Sequence, residues 1–198
     1  MTAPVTATET DRTAQPLPAG AWDIDPVHSL VEFSVRHLMV SKVKGRFGRF
    51  SGTITVGDGP LGGAVESGAV EASIDVASIS TGDDQRDAHL RSPDFLDVER
   101  HPVATYRSRA VRPRGEGFVV DGDLTLHGVT RPVPLHLELN GIGPDHTGAT
   151  RAGFSATAEL NRRDFGIDIT MPLANGGVVV GDKVALALEI QAVARSAS

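Results

Sequence analysis

The chain has no cysteine among its 198 residues, which excludes disulfide bonds, thiolate metal ligands and a cysteine nucleophile. Aromatic residues make up only 5% of it, with one Trp and one Tyr, so bulky side chains for filling a core are scarce. No apolar run reaches the roughly 18 residues of a membrane-spanning helix. The formal net charge is -6 and no basic run is present, so nucleic acid is not an expected partner.

The N-terminal segment has a composition unlike the rest of the chain. Residues 1–20 are rich in Thr, Ala and Pro and cannot bury enough apolar surface to order themselves. We therefore predict a flexible tail at 1–20, one domain at 21–194 and a short C-terminal tail at 195–198. The segment also lacks the basic and apolar regions of a secretory signal, so the expected location is cytoplasmic.

Alternation of apolar and polar residues with a period of two runs through most of the chain and predicts β-strands. The clearest case is His28–Met39, where Val31, Phe33 and Val35 fall on one side of the strand. His37 ends that apolar side with a polar group. Such a strand faces an apolar interior that contains one polar side chain.

Around residues 82–98 the alternation is lost, and Asp83 and Ser92 are suited to cap short helices. Elsewhere turns and loops separate the strands, with a glycine-rich loop predicted over Gly57–Gly68 and a turn over Ser41–Gly45 before a strand over Arg46–Val56. The total is about eight strands without a βαβ rhythm, which predicts an all-β, antiparallel barrel or sandwich. An eight-stranded barrel has room for filling side chains or for one small ligand.

A series of runs, in order and with matching spacing, resembles the YceI-like family across about residues 21–194. The run at 124–133 is the most specific of them. At positions 101 and 106 this chain has His and Tyr where the family pattern more often has Tyr and Phe. The runs include Trp22–Ser29 (WDIDPVHS), Gly45–Phe47 (GRF), Phe50–Gly52 (FSG), Ser78–Thr81 (SIST), Asp94–Asp97 (DFLD), Leu124–Val133 (LTLHGVTRPV), Arg163–Ile167 (RDFGI) and the final strand Gly181–Ile190.

The resemblance implies a lipocalin-like, eight-stranded antiparallel barrel whose apolar tunnel holds a polyisoprenoid, such as an isoprenoid quinone, or a similar long-chain amphiphile. It implies binding, storage or transport of that lipid without catalysis. Many members of the family are exported to the periplasm. Barrels of the family are often seen in pairs, so the resemblance is compatible with a homodimer. Similarity of fold to a lipid carrier does not identify the lipid.

Inward apolar side chains are the predicted ligand contacts, although the same pattern is typical of a packed core. The scarcity of aromatic residues and small inward residues such as Ala72 and Ala156 favour a cavity. His37 and Arg86 are the predicted polar contacts. His37 could form a hydrogen bond with the head group or a polar tail atom of the ligand. The guanidinium of Arg86 could form paired hydrogen bonds with an anionic head group. A histidine satisfied within the fold and an arginine paired with a neighbouring aspartate are the alternatives. The predicted apolar contacts are Val31, Phe33, Val35, Ile54, Ile74, Leu124, Leu126, Leu137, Phe154, Leu186 and Leu188.

Seven histidines raise an alternative function, a metal-assisted enzyme with its site at the barrel mouth. They are spread along the chain without HxH or HExxH spacing, and neither a GxSxG motif nor a nucleophile–base pair is evident. We therefore predict no catalytic residue, no metal and no cofactor other than the bound lipid. A barrel filled by its own side chains, serving an interaction role, is the third hypothesis.

Overall fold

The structure is a computed structural model that describes residues 17–38, 40–57, 68–170 and 179–195. Within these ranges it contains one α-helix, α1 (Asp84–Arg91), and twelve strand segments of a single sheet. The segments are β1 (Gly20–Ile24), β2 (Leu30–His37), β3 (Ser41–Phe47), β4 (Phe50–Val56), β5 (Ala69–Asp75), β6 (Ile79–Ser80), β7 (Val103–Arg114), β8 (Gly117–Leu126), β9 (Val129–Pro132), β10 (Leu135–Pro144), β11 (Thr150–Asn161) and β12 (Val180–Ala194).

The twelve segments occupy eight positions around a closed antiparallel barrel. Four positions hold a single strand each, namely β7, β8, β11 and β12. The other four hold two consecutive segments, β1 with β2, β3 with β4, β5 with β6 and β9 with β10, because both members of each pair lie against the same neighbouring position. The ring closes where Trp22–Ile24 pairs with Ala192–Ala194. The predicted eight-stranded antiparallel barrel is confirmed.

The predicted turn over Ser41–Gly45 is wrong, since these residues belong to β3. Val43, Gly45 and Phe47 lie on the less exposed side of this strand, while Lys42 and Lys44 are exposed, so the segment alternates as a strand should. The exposed lysines on the other side of the segment resemble the polar composition of a turn. The strand predicted over Arg46–Val56 is instead divided at positions 48–49, between β3 and β4.

One end of the barrel is closed by Trp22, whose side chain is among the most completely buried in the described residues. It packs in a cluster with Leu17, Val56 and Phe154, and its indole N–H donates to the carbonyl of Pro18 at 3.1 Å. Residues 1–16 of the predicted tail lie outside the described residues, as do 196–198. Leu17, which lies within the predicted tail, is buried in this core, and the domain boundary at residue 20 stays a prediction.

The opposite end carries α1 and the turns that follow it. The carboxylate of Asp83 caps the helix by accepting the Arg86 N–H at 2.8 Å, as expected for an N-cap aspartate. Phe95 and Leu96, just beyond the helix, are buried in the main core. The predicted helical insertion around residues 82–98 is thereby confirmed, with the regular helix confined to its first half. None of the helices described is long and apolar enough to cross a membrane.

The break between β1 and β2 is held by a small charged network around Asp25. Its carboxylate accepts hydrogen bonds from Arg151 at 2.6 Å, from His28 at 2.8 Å and from the Val27 N–H at 3.0 Å. Arg151, on β11, also donates to Asp145 at 2.7 Å. The Arg151 and His28 hydrogen bonds lower the pKa of Asp25 to about 2. The network therefore ties the interruption in the first barrel position to the β10–β11 hairpin.

We expect Asp25→Asn to lower the free energy of unfolding by about 1 kcal/mol at pH 7 and by almost nothing near pH 2. A carboxyl whose pKa is about 2 when folded and ~3.9 when unfolded stabilises the protein above pH ~4, and the contribution disappears as pH falls toward 2. Solvent screening keeps the effect small. Urea unfolding at pH 7, 4 and 2.5 measures it. Glu116→Gln, in the exposed β7–β8 turn, should keep the wild-type pH dependence, and a parallel loss at all pH values in Asp25→Asn would contradict the assignment.

Candidate ligand-binding cavity

The barrel encloses an apolar cavity of about 270 Å³ that is partly open to solvent. Side chains from all eight barrel positions line it, and Leu90, Phe95 and Leu96 close it on the side of α1. Along β12 the lining continues from Val184 to Ile190, six residue steps or about 20 Å of extended strand. Its volume lies just below the ~300–1,000 Å³ typical of small-molecule sites. The lumen is therefore elongated and narrow.

All of the predicted apolar contacts lie on the cavity wall. Many of them, including Phe33, Val35 and Leu186, are only half-buried although they point into the barrel, because their side chains line a cavity there. Partly exposed side chains that point inward are typical of a cavity and not of a filled core. The third hypothesis, a barrel packed by its own side chains, therefore does not hold. Whether each residue contacts a ligand stays a prediction. The eleven are Val31, Phe33, Val35, Ile54, Ile74, Leu124, Leu126, Leu137, Phe154, Leu186 and Leu188.

Tyr106 is the phenol in the cavity wall, and its polar atom is turned away from the lumen. The hydroxyl lies 3.0 Å from the carbonyl oxygen of Val120 and 3.1 Å from that of Val133, so its proton is donated to the backbone. The ring lies over Gly122, where a Cβ atom would come within 2.4 Å of it. Burial raises the pKa of the phenol well above its usual range. Tyr106 therefore presents an apolar ring face to the cavity.

Arg162 is a charged residue in the cavity wall that sequence reasoning missed. It opens a 3₁₀ turn after β11, and its side chain is 6% exposed. The guanidinium donates to the carbonyls of Ile167 at 2.6 Å and Gly181 at 3.1 Å, and to Asp182 at 2.9 Å. Burial lowers the pKa of Arg162, while the charge of Asp182 opposes that shift. Because its nitrogens are directed at these partners, Arg162 offers its aliphatic part to the lumen.

The structure places neither predicted polar contact on the cavity wall. His37 is half-buried at the end of β2, where it pairs with Ser41 and Val180. Arg86 is exposed on α1, and its guanidinium donates to the Thr81 hydroxyl at 2.7 Å and to the Thr81 carbonyl at 3.1 Å. The side chain is thus held by Thr81 rather than by the neighbouring aspartates. A ligand contact by either residue stays a prediction.

Three residues that the sequence did not connect lie together at the end that carries α1: Asp97, His101 and His127. The sequence offered one signal, the spacing of four residues between Asp97 and His101, which places two side chains on one side of a helical turn. His127 is far away in the sequence. None of the three is on the cavity wall.

A family model described as the YceI-like domain matches residues 22–192, which is nearly the whole barrel. The chain belongs to the YceI-like family. This YceI-like chain is 37% identical over 148 residues to a UPF0312 protein of Vibrio cholerae serotype O1, with 74% of this chain and 76% of the relative covered. The predicted membership is confirmed.

Solved structures show the same barrel as this YceI-like chain. A YCEI protein of Campylobacter jejuni superposes with a TM-score of 0.68 at 26% identity, over 81% of this chain and 90% of that one. A structure described as a polyisoprenoid binding domain from Saccharophagus degradans gives a TM-score of 0.65 at 19% identity, over 88% and 98% of the two chains. At that identity the second likeness establishes the fold alone.

Proposed function

We propose that the protein binds a polyisoprenoid or a similar long-chain amphiphile in the barrel lumen, to store or transport it without chemical change. The observation that carries this proposal is the elongated cavity, whose accessible wall is entirely apolar. A lumen of this kind has no polar group with which to orient or activate a small polar substrate. It suits a guest that is recognised by shape and by the burial of hydrocarbon.

The energetics favour a chain over a compact ligand. Each buried methylene contributes ~0.8 kcal/mol, so a five-carbon isoprene unit contributes about 3–4 kcal/mol before the cost of ordering it. A few units therefore account for tight binding without a specific contact to the head group. The name of the Saccharophagus degradans structure supports the same ligand class. An isoprenoid quinone is one candidate within that class.

The test is to identify what the purified protein carries. We expect native mass spectrometry and organic extraction to recover about one prenyl lipid per chain. The delipidated protein should then take up a prenyl quinone more tightly than a saturated straight-chain alcohol of equal carbon number, because the double bonds of the prenyl chain leave fewer torsions to be ordered on binding. A protein that is repeatedly recovered empty, and that takes up neither lipid, would contradict the proposal. Equal uptake of both lipids would support binding of an amphiphile while removing the isoprenoid preference.

A further inference from the structure

We propose that Asp97, His101 and His127 form a site for a divalent transition-metal ion of the Zn²⁺ class. One potential ligand atom from each residue lies within 4.8 Å of the other two. One ion position can therefore lie about 2.8 Å or less from all three ligand atoms. Three atoms no more than 4.8 Å apart fit within a circle whose radius is at most 4.8 Å divided by √3. Shifts of under about 1 Å then reach the 2.0–2.2 Å of Zn–N and Zn–O bonds.

Local backbone structure brings the first two residues together. The carbonyl of Asp97 accepts the His101 N–H at 2.8 Å and the Arg100 N–H at 3.0 Å, which winds residues 97–101 into one turn. Side chains four residues apart lie on the same side of such a turn. Asp97 has a φ of 44°, a region that few residues other than glycine adopt. The turn therefore aims the carboxylate and the imidazole in one direction.

His127 reaches the same point from the β8–β9 hairpin. It forms a two-residue turn with Gly128, both with positive φ (52° and 73°), between the paired residues Leu126 and Val129. The rings of His127 and His101 lie with their centroids 4.8 Å apart. A Cβ atom at position 128 would come within 2.7 Å of the His101 ring, so glycine is needed there for this approach.

One hydrogen bond determines which nitrogen of His127 is available to a metal. Its Nδ1 lies 3.0 Å from the carbonyl oxygen of Phe165, and a carbonyl can only accept. Nδ1 therefore carries the proton, and Nε2 of the neutral ring keeps its lone pair. Metal-binding histidines commonly have this arrangement, in which a backbone carbonyl fixes the tautomer and the orientation of the ring.

Asp97 supplies the negative charge of the site. It is 6% exposed, and within the described residues its carboxylate has no hydrogen bond and one ion pair, with Arg100 at 3.6 Å. Among the described residues no buried side-chain oxygen or nitrogen lacks a hydrogen-bond partner, so the oxygens of Asp97 are in contact with solvent and an ion can reach them. Arg100 is 79% exposed at its side chain and is free to turn toward solvent when an ion binds. A cation bound by the three residues would meet the charge of Asp97 at a shorter distance than Arg100 does.

Two imidazoles and one carboxylate suit Zn²⁺ and its transition-metal neighbours, whereas Mg²⁺ and Ca²⁺ prefer oxygen ligands alone. Three protein ligands leave one position of a tetrahedral ion for water or another donor. Bound there, the ion joins the segment after α1 to the β8–β9 turn. Since none of the three residues lines the cavity, metal binding and lipid binding are tested separately.

The test uses the full chain, without a histidine tag and treated with a chelator, in equilibrium dialysis against Zn²⁺ alone and Mg²⁺ alone. We expect about one Zn²⁺ per chain, no saturable Mg²⁺, and a Zn²⁺-dependent rise in the melting temperature. His101→Phe and Asp97→Asn should each weaken Zn²⁺ binding at least tenfold and abolish that rise. His89→Phe is the matched control, because His89, on α1, lies 3.3 Å from the Asp94 carboxylate but belongs to no such group of three among the residues that the structure describes.

Circular dichroism without metal verifies that each variant is folded, and His127→Asn provides a third variant because asparagine tolerates positive φ. Less than about 0.1 equivalent of Zn²⁺ on the wild type at saturating metal would overturn the proposal. So would unchanged Zn²⁺ affinity in folded His101→Phe, or an equal loss in His89→Phe, which would place the binding elsewhere.

Discussion

Replacing Ala72 and Ala156 with leucine should abolish tight lipid binding while leaving the barrel folded. Both residues line the cavity, and they lie on β5 and β11, which are four positions apart in the ring of eight and hence on opposite walls. Each replacement adds three carbon atoms to a lumen of about 270 Å³. A ligand that gives up three buried carbons loses about 2 kcal/mol, or roughly 30-fold in affinity. The double variant should lose close to a thousandfold.

The measurement is the dissociation constant for a prenyl quinone, together with the urea midpoint. Because the added atoms occupy existing space, we expect the midpoint to stay the same or to rise. Ala187→Leu is the matched control, since Ala187 is exposed on the outer face of β12 between two lining residues. Undiminished lipid binding by the stable double variant would place the ligand outside the lumen and would contradict the proposed function.

Arg162→Met should lower the free energy of unfolding by about 3 kcal/mol, a larger loss than the one expected for Asp25→Asn. Methionine keeps the aliphatic body of the side chain but removes the donors to Ile167, Gly181 and Asp182. Removing one partner from a buried, hydrogen-bonded charge typically costs 3–5 kcal/mol, because the groups left behind have lost both water and their partner. In a chain of this size that corresponds to a fall in melting temperature of roughly 6–12 °C.

The neighbouring arginine is the control for this experiment. Arg163 also pairs with Asp182, at 2.9 Å, but its side chain is 40% exposed. Arg163→Met should therefore cost less than ~1 kcal/mol. Urea unfolding of both variants, with unchanged denaturant dependence, gives the comparison. Similar losses in the two variants would show that the buried hydrogen bonds of Arg162 contribute no more than a surface ion pair.

Arg162 also shows why sequence reasoning does not find every functional position. The run Asn161–Gly166 is charged, and its sequence predicts a turn with paired charges in a loop that closes the barrel. Its first arginine is nevertheless buried, because the carbonyls that accept its protons come from residues five and nineteen positions further along the chain. Charge in a local window favours the surface, and only the folded chain can supply buried acceptors.

The strand breaks have a similar explanation. Lys42 and Lys44 made β3 look like a turn, although their alternation with Val43 and Gly45 is that of a strand with one face toward solvent. Where a barrel position is interrupted depends on the register of both neighbours, which is a long-range property. The helix around 82–98 was predictable, since its capping aspartate acts within three residues.

By itself, the sequence determined which side chains face inward, because a strand places successive residues on opposite faces whatever its neighbours are. His28–Met39 predicted an apolar wall, and its Val31, Phe33 and Val35 lie on the cavity. Tertiary structure alone decided that the lumen stays open, since its volume is the small difference between the size of the closed ring and the side chains within it. It also decided that His37 does not line the cavity and that Asp97 lies close to His127, thirty residues further along the chain. Both outcomes depend on how separate turns pack at one end of the barrel.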